Sequence, residues 1–372
     1  VNFWKKLNKP ILALAPMADV TDPAFRFIIA KYSKYEGSDV GQYGNKNTNK
    51  YQKFTPHPHL EVKLPSGGLG IPTGGPDVMW TEFVSADGLA LAPEEGRKKL
   101  LKDLEFTEIE RPIVAQFFTS KPKMMEKAGR LAYELGFDGV DINMGCPDKS
   151  IEKQGSGAAL IKNPALAREL ISAAKSGAKG LPVSVKTRIG YGKNEMEEWI
   201  PELIKENPAA IIVHARTRKE MSKTPARWES IKTAVRIRNE LKSETLILGN
   251  GDVLSIEDAY SKIKDSGCDG AMLGRAIFGN PFLFRNKNVL SKIEGPYIPT
   301  VKEKLSVLVE HTTLFEKILG DIKNFSVMKK HYKAYVSGFE GAVGLRAKLM
   351  ETNSAGEVKK IVEEYLQTVD NY

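Results

Sequence analysis

In DGVDINMGCPDKS, residues 138–150, an apolar stretch breaks into Asn-Met-Gly-Cys-Pro and sets Cys146 between Gly145 and Pro147. A free thiol has a pKa of about 8.5, so near neutral pH it is a proton donor unless an adjacent base turns it into a nucleophile. His214, at the end of AIIVHAR, is the candidate base, but Lys186 of VSVKTRI ends the run that lies between. Both roles stay open for Cys146 on these residues. The other cysteine, Cys268 in SGCDG, comes before an apolar run and reads as a small buried hydrophobe.

Further along, GNG and LGRA supply Gly251, Gly274 and Arg275. The glycines let a ligand approach the backbone, and the planar guanidinium fork suits a phosphate. Lys186 and His214 can hold positive charge or hydrogen bonds against an electron-rich ring, or belong to a structural ion pair. His57 and His59 fall in a segment rich in Gly, Asn, Lys and Pro and read as solvated loop residues; no metal site is expected.

Eight elements must position these groups. Apolar or β-branched runs bounded by turn residues occur at 11–17, 77–83, 112–118, 139–145, 183–189, 210–216, 245–251 and 270–276. Amphipathic stretches of helical length separate most of them; Met124, Ala128, Leu131 and Leu135 repeat at helical spacing and stop at Gly136. Runs apolar on both faces point to parallel strands, and eight strand–helix units predict a (β/α)8 TIM barrel, whose catalytic groups belong at strand C-termini. Pro16, Met17, Glu82, Gln116, Asn143, Cys146, Lys186, Arg188, His214, Arg216, Asn250, Gly251, Asp252, Gly274 and Arg275 all stand at such ends. A doubly wound sheet would gather them mainly at one switch point.

After GPYIPT no strand run follows. Leu305, Leu308, Val309, Thr312 and Phe315 form a helical face, and SVMKKHYKAYVSGF and GEVKKIVEEYLQTV read as further helices. The expected division is a barrel over 1–298, with 35–76 as an insertion loop at its bottom, and a small helical bundle over 299–372. Lys323, Lys329, Lys330, Lys333, Arg346 and Lys348 against Glu340 make part of this tail basic.

The chain of 372 residues carries a formal charge of +9, which favours an anionic partner, and its composition excludes a disordered or fibrous class. Two widely spaced cysteines exclude a disulfide framework and a zinc-binding pattern, and fit a reducing cytoplasm. The apolar run after the first lysines is too short to span a membrane, and no export signal is read there.

Taken together, LALAPMADVTDPAFR, TEFVSADGL, VAQFF, GVDINMGCP, GSGAALI, VKTRIGY, HARTR, GNGDV, DGAMLGRAIFGNPFLF and MKKHYKAYVSGFEGAVGLRAKL resemble the flavin-dependent tRNA-dihydrouridine synthases. Ala215 stands where that family usually has Gly, and Arg227 where an acidic residue is common. The resemblance implies a bound FMN reduced by NADPH, hydride transfer to C6 of a uridine in tRNA, and Cys146 as the acid at C5. It implies flavin contacts from Pro16, Met17, Gln116, Lys186, His214, Asn250, Gly251, Gly274 and Arg275, with Asn143 beside the uracil. Arg216 and Arg218 at the barrel rim, with Lys329, Lys330, Lys333 and Arg346 of the tail, are the expected phosphate contacts. Two other readings compete: a flavin oxidoreductase of the dihydroorotate or dihydropyrimidine dehydrogenase type, which shares Asn-x-x-Cys-Pro, and a non-catalytic RNA-binding barrel.

Overall fold

Strands that are apolar on both faces need cover on both sides. A computed structural model of the chain, describing residues 2–34, 74–291 and 296–369, provides it. The strands are β1 (Ile11–Leu14), β2 (Met79–Ser85), β3 (Ile113–Phe118), β4 (Gly139–Met144), β5 (Val183–Arg188), β6 (Ala210–His214), β7 (Leu246–Asn250) and β8 (Gly270–Leu273). Several stop short of the expected runs because Pro16, Gly145, Gly251 and Gly274 turn the chain out of the ladder. All pairings are parallel, in the order β1-β8-β7-β6-β5-β4-β3-β2. The circle closes where Ala13 bridges Val78: Asp77 N donates to Leu12 O at 2.7 Å and Leu14 N to Val78 O at 3.1 Å. The chain is a (β/α)8 barrel followed by C-terminal helices.

Because side chains alternate along a strand, every second residue enters the barrel. Ile11, Ala13, Ala15, Val78, Trp80, Val114, Ala210, Ile212, Leu248 and Met272 form this interior cluster. A short 3-10 turn, Phe3–Lys6, adds Trp4, which is 3% exposed and lies 5.9 Å from the Trp80 ring.

The helix expected before Gly136 spans Pro122–Glu134, but its buried face is Met125, Ala128, Gly129 and Ala132, rotated from the expected Met124–Leu131 line. Close packing on helix Pro164–Gly177 explains the difference. A Cβ on Gly129 would sit 2.8 Å from Ala174 O, and one on Gly177 only 1.9 Å from Glu126 O. The small residues, and not the largest apolar ones, mark the contact.

Packing groups the described residues of Val1–Ala18 and Pro76–Arg275 into one compact unit, and those of Asp19–Gln52 and Ala276–Tyr372 into another. Helix Pro23–Lys34 and residues 276–291, expected with the barrel, therefore cluster with the C-terminal helices. Lys31 Nζ reaches Glu310 at 2.6 Å, and Tyr32 Oη donates to the same carboxylate at 2.5 Å. Residues 35–73, including His57, His59 and almost all of the expected insertion loop, lie outside the described residues.

In the second unit, helix Val301–Leu319 is opened by a Thr300–Glu303 capping box. Leu305, Leu308, Thr312 and Phe315 are buried as expected, while Val309 is half-buried. His311 joins the buried face and meets His331 of helix Lys329–Tyr335 edge to face, at 4.8 Å between ring centroids. Both imidazoles are fully buried, and none of their four nitrogens has a hydrogen-bond partner among the described residues. Helices Ala342–Met350 and Ala355–Val369 complete the unit.

Candidate active site

The inward parity of five consecutive strands ends on polar groups. Gln116 (β3), Asn143 (β4), Lys186 (β5), His214 (β6) and Asn250 (β7) all line one cavity of about 320 Å³. Two residues earlier on these strands, the side chains are the buried Val114, Asp141, Ser184, Ile212 and Leu248. The loops add Pro16, Met17, Cys146, Gly251, Gly274 and Arg275.

Cys146 is held through its backbone on every side. Asn143 Oδ1 accepts from the N–H groups of Gly145 (3.1 Å) and Cys146 (2.9 Å). Arg188 Nε donates to Gly145 O at 2.7 Å, Ala158 N to Cys146 O at 2.9 Å, and Arg218 Nη2 to Pro147 O at 3.3 Å. Gly157, at φ +62°, must be glycine here: a Cβ would lie 2.7 Å from Cys146 O. Burial pushes the thiol pKa up, with Arg188 and Lys186 only partly offsetting it, so Cys146 is protonated at neutral pH. This favours the acid over the nucleophile. Cys268 is 6% exposed, and its thiol donates to Gly270 O at 3.1 Å, as a structural residue should.

Lys186 Nζ donates to Asn250 Oδ1 at 3.2 Å, and Asn250 Nδ2 donates to Met272 O at 2.8 Å. Burial, with Arg188 nearby, brings the Lys186 pKa down to about 8, which leaves it mostly charged at pH 7. His214 is held well below its usual value by burial and then by Lys186, Arg188, Arg216 and Arg275, so its ring is neutral. Arg216 Nη1 lies 3.1 Å from His214 Nε2; a guanidinium only donates, so Nε2 is the acceptor and Nδ1 carries the proton. Gly251, at φ +114°, leaves room for that ring: a Cβ would stand 2.9 Å from His214 Cδ2. Trp228 Nε1 holds Gly251 O at 2.9 Å.

One carboxylate organises the far side. Asp252 Oδ2 accepts from Arg216 Nη2 and Oδ1 from Arg275 Nη2, each at 2.5 Å. Burial alone would raise its pKa, but these two arginines and Ala226 N keep it low. The Arg275 side chain remains 66% exposed, with its fork at the cavity.

Two expected rim contacts are placed differently. Arg216 is 3% exposed and is taken up by Asp252, Thr224 O and His214, which makes it an internal brace of the cavity. Arg218 is tied through Nε and Nη2 to Glu152 and stacks toward Tyr191, so it anchors the Cys146 loop. Lys329, Lys330, Lys333 and Arg346 lie in the helical unit. Lys333 is exposed, Lys330 Nζ donates to Asp19 O at 2.9 Å, and Arg346 Nη1 to Val336 O at 3.0 Å. Of the departures from the family pattern, Ala215 is buried and Arg227 pairs with Glu220. The sequence places Arg188 and Asp252 at strand ends without assigning them a role and does not single out Asp141. Arg188 and Asp141 lie two positions from Lys186 and Asn143 on the same inward strand parity, whereas Asp252 follows Gly251 beyond the end of β7.

A closed parallel barrel whose strand ends gather amide, ammonium, imidazole and thiol around one hollow is the architecture of a TIM-barrel enzyme. The profile described as Dihydrouridine synthase matches residues 13–370, and the chain belongs to that family of oxidoreductases. It is similar to "Probable tRNA-dihydrouridine synthase" of Staphylococcus aureus (strain MRSA252), 34% identical over 99% of this chain and 97% of the relative. Its identity to "Probable tRNA-dihydrouridine synthase 2" of Bacillus subtilis (strain 168) is 35%, over 98% and 96%. Among solved structures, morphinone reductase is similar at a TM-score of 0.46 and 12% identity, covering 78% of this chain and 88% of that one; the fold rests on the strand pairing above. Among the described residues, no helix is long and apolar enough to cross a membrane.

Proposed function

We propose that this chain reduces the C5–C6 double bond of uridines in tRNA, with FMN bound in the barrel mouth, NADPH as reductant and Cys146 as the acid. The observation that carries this reading is a protonated, backbone-clamped thiol lining the same cavity as Lys186, Gln116 and Asn250. The family match over nearly the whole chain favours it over a small-molecule dehydrogenase or an idle RNA-binding barrel.

The residues present fit a flavin. The hollow is of small-molecule size, its donors are amides and a buried cation, and Gly251 lets the His214 ring pack against the backbone at its edge. Pro16, Met17, Gln116, Lys186 and Asn250 would hold the ring, while His214, Gly251, Gly274 and Arg275 would hold the phosphate-bearing tail. When bound and reduced, the flavin supplies the hydride for C6 of the uracil.

Asn143 would orient the uracil, although its Oδ1 is already engaged by the Cys146 loop. The Cys146 Sγ–H then delivers its proton to C5, so that one hydride and one proton saturate the bond. Lys186 and Arg188 lower the cost of the thiolate left behind, and solvent reprotonates it. Neutral His214 offers a hydrogen bond from Nδ1 without adding charge. A base stacked in folded tRNA must be everted to reach the cavity, at a cost of a few kcal/mol. Lys329, Lys330, Lys333 and Arg346 are the candidates for the phosphate contacts that offset it. Two free thiols fit a cytoplasmic setting.

The test is to purify the protein, measure flavin absorbance, and incubate it with unmodified tRNA transcript and NADPH before quantifying dihydrouridine by mass spectrometry. Dihydrouridine in the tRNA is the expected result. Reduction of free pyrimidines with none in tRNA, or a colourless protein that takes up no flavin, overturns the reading.

A further inference from the structure

The barrel wall contains a directed chain of hydrogen bonds that ends at the thiol. Ser184 Oγ donates to Asp141 Oδ1 at 2.5 Å, and Gln116 Nε2 donates to Asp141 Oδ2 at 2.7 Å. Asn143 Nδ2 donates to Gln116 Oε1 at 3.2 Å, and Asn143 Oδ1 accepts from Gly145 N and Cys146 N. Asp141 is fully buried and lies outside the cavity lining. The links above it nonetheless take their direction from it.

A side-chain amide can present either its oxygen or its nitrogen, and a partner able only to accept removes the choice. An ionised Asp141 is such a partner. It draws Nε2 of Gln116, which turns Oε1 toward Asn143. Asn143 must answer with Nδ2, leaving Oδ1 for the two N–H groups beside the thiol. Reversing any one link sets donor against donor in a buried site.

We propose that Asp141 is a positioning residue for Cys146, fixing the sense of the Gln116 and Asn143 amides so that Asn143 Oδ1 clamps the backbone that carries the thiol. The proposal rests on the reading of Cys146 as the proton donor for its value to catalysis, but the clamp itself does not. Ser184 and Lys186 from β5, Gln116 from β3 and the Trp80 indole from β2 are the polar and charged groups that act on Asp141. Burial outweighs them and lifts its carboxyl to about 6. Below that pH Asp141 gains a proton, can itself donate, and no longer dictates the direction of the chain.

Backbone hydrogen exchange at Gly145 and Cys146, read by fragment mass spectrometry on the full chain and corrected for intrinsic rates, tests the clamp without flavin or tRNA. In the wild type, protection at these two amides should fall about tenfold between pH 8 and pH 5, the scale of one lost buried hydrogen bond. Asp141→Asn is a permanently neutral mimic of the protonated carboxyl and can itself donate, so at pH 8 it should already show the lowered protection of the wild type at pH 5, with no pH dependence. Asp141→Leu should lose protection at pH 8 and alkylate faster at Cys146 with iodoacetamide, with Cys268 as internal reference. Wild-type protection in Asp141→Leu, or a pH dependence that survives in Asp141→Asn, overturns the proposal. If Asp141→Leu does not fold, the wild-type and Asp141→Asn pH series decide. Absence of dihydrouridine in tRNA treated with wild-type enzyme would refute the proposed function and leave this clamp standing.

Discussion

Arg188 Nε donates to the carbonyl oxygen of Gly145 at 2.7 Å, the residue immediately before the thiol. The same guanidinium donates through Nη1 to Thr217 O at 3.1 Å and Met221 O at 2.9 Å, so it fastens the loop after β4 to the loop after β6. Lysine cannot reproduce that fork. Arg188→Lys is expected to slow uridine reduction by roughly 10- to 100-fold, the scale of a misplaced reacting group, while flavin content is retained. Single-turnover rates and bound-flavin absorbance check it; an unchanged rate would show that the fork does not position the loop.

The two cysteines should separate cleanly. Cys146→Ala is expected to keep flavin and lose about 10² to 10⁴ in turnover, the usual range for a general acid, whereas Cys268→Ala leaves turnover near wild type. Because burial raises the Cys146 pKa, the acid stays loaded through neutral pH. On the alkaline side, loss of the thiol proton should lower the rate of uracil reduction only above the ordinary thiol range of about 8.5. A decline beginning near pH 7 would point to a different proton donor.

Gly251→Ala combines an unfavourable φ of +114° with a Cβ 2.9 Å from the His214 ring. The strain is expected to cost about 1–3 kcal/mol and to weaken flavin retention. Thermal melts and flavin content after dialysis read both effects.

The buried histidine pair makes stability depend on acid. Burial holds His331 down to about 3 and His311 well below 6.5, so both are neutral in the fold and charge when it opens. Their contribution is complete above the unfolded pKa of about 6.5 and is lost as pH falls through it toward the folded values, by up to about 1.4 kcal/mol per pH unit for each ring. Replacing His331 by Phe should flatten that slope in denaturant titrations between pH 6.5 and 4. A slope equal to wild type would place the acid sensitivity elsewhere.

Lys333 is exposed on the helical unit, where a phosphate contact would be made through solvent. Lys333→Ala is expected to weaken tRNA binding without altering flavin reduction by NADPH, and to lower the salt slope of binding by about one. Equal slopes would remove Lys333 from the contact set.

The barrel was legible because buried parallel strands leave runs such as AIIVHAR that few other folds require, and glycine or proline marks where each run ends. Cavity-lining Gln116, Asn143, Lys186, His214 and Asn250 were legible for the same reason, as strand ends on one parity. Arg216 and Arg218 were not. A surface cation and a buried brace look alike in sequence, and only the carboxylates of Asp252 and Glu152 reveal which they are. The helix at Pro122–Glu134 was found but its buried face was misjudged, because Gly129 and Gly177 win the contact by what they lack. The pairing of His311 with His331 joins two helices and leaves no local pattern.

Asp252 grips a buried arginine with one oxygen and an exposed arginine with the other. The outer guanidinium is thereby restrained before any anion arrives, so part of the rotamer entropy that a free surface arginine would lose on capture is already gone. Affinity at that corner should persist in a chain whose other ligand contacts are weakened, because its geometry does not wait for the ligand to form.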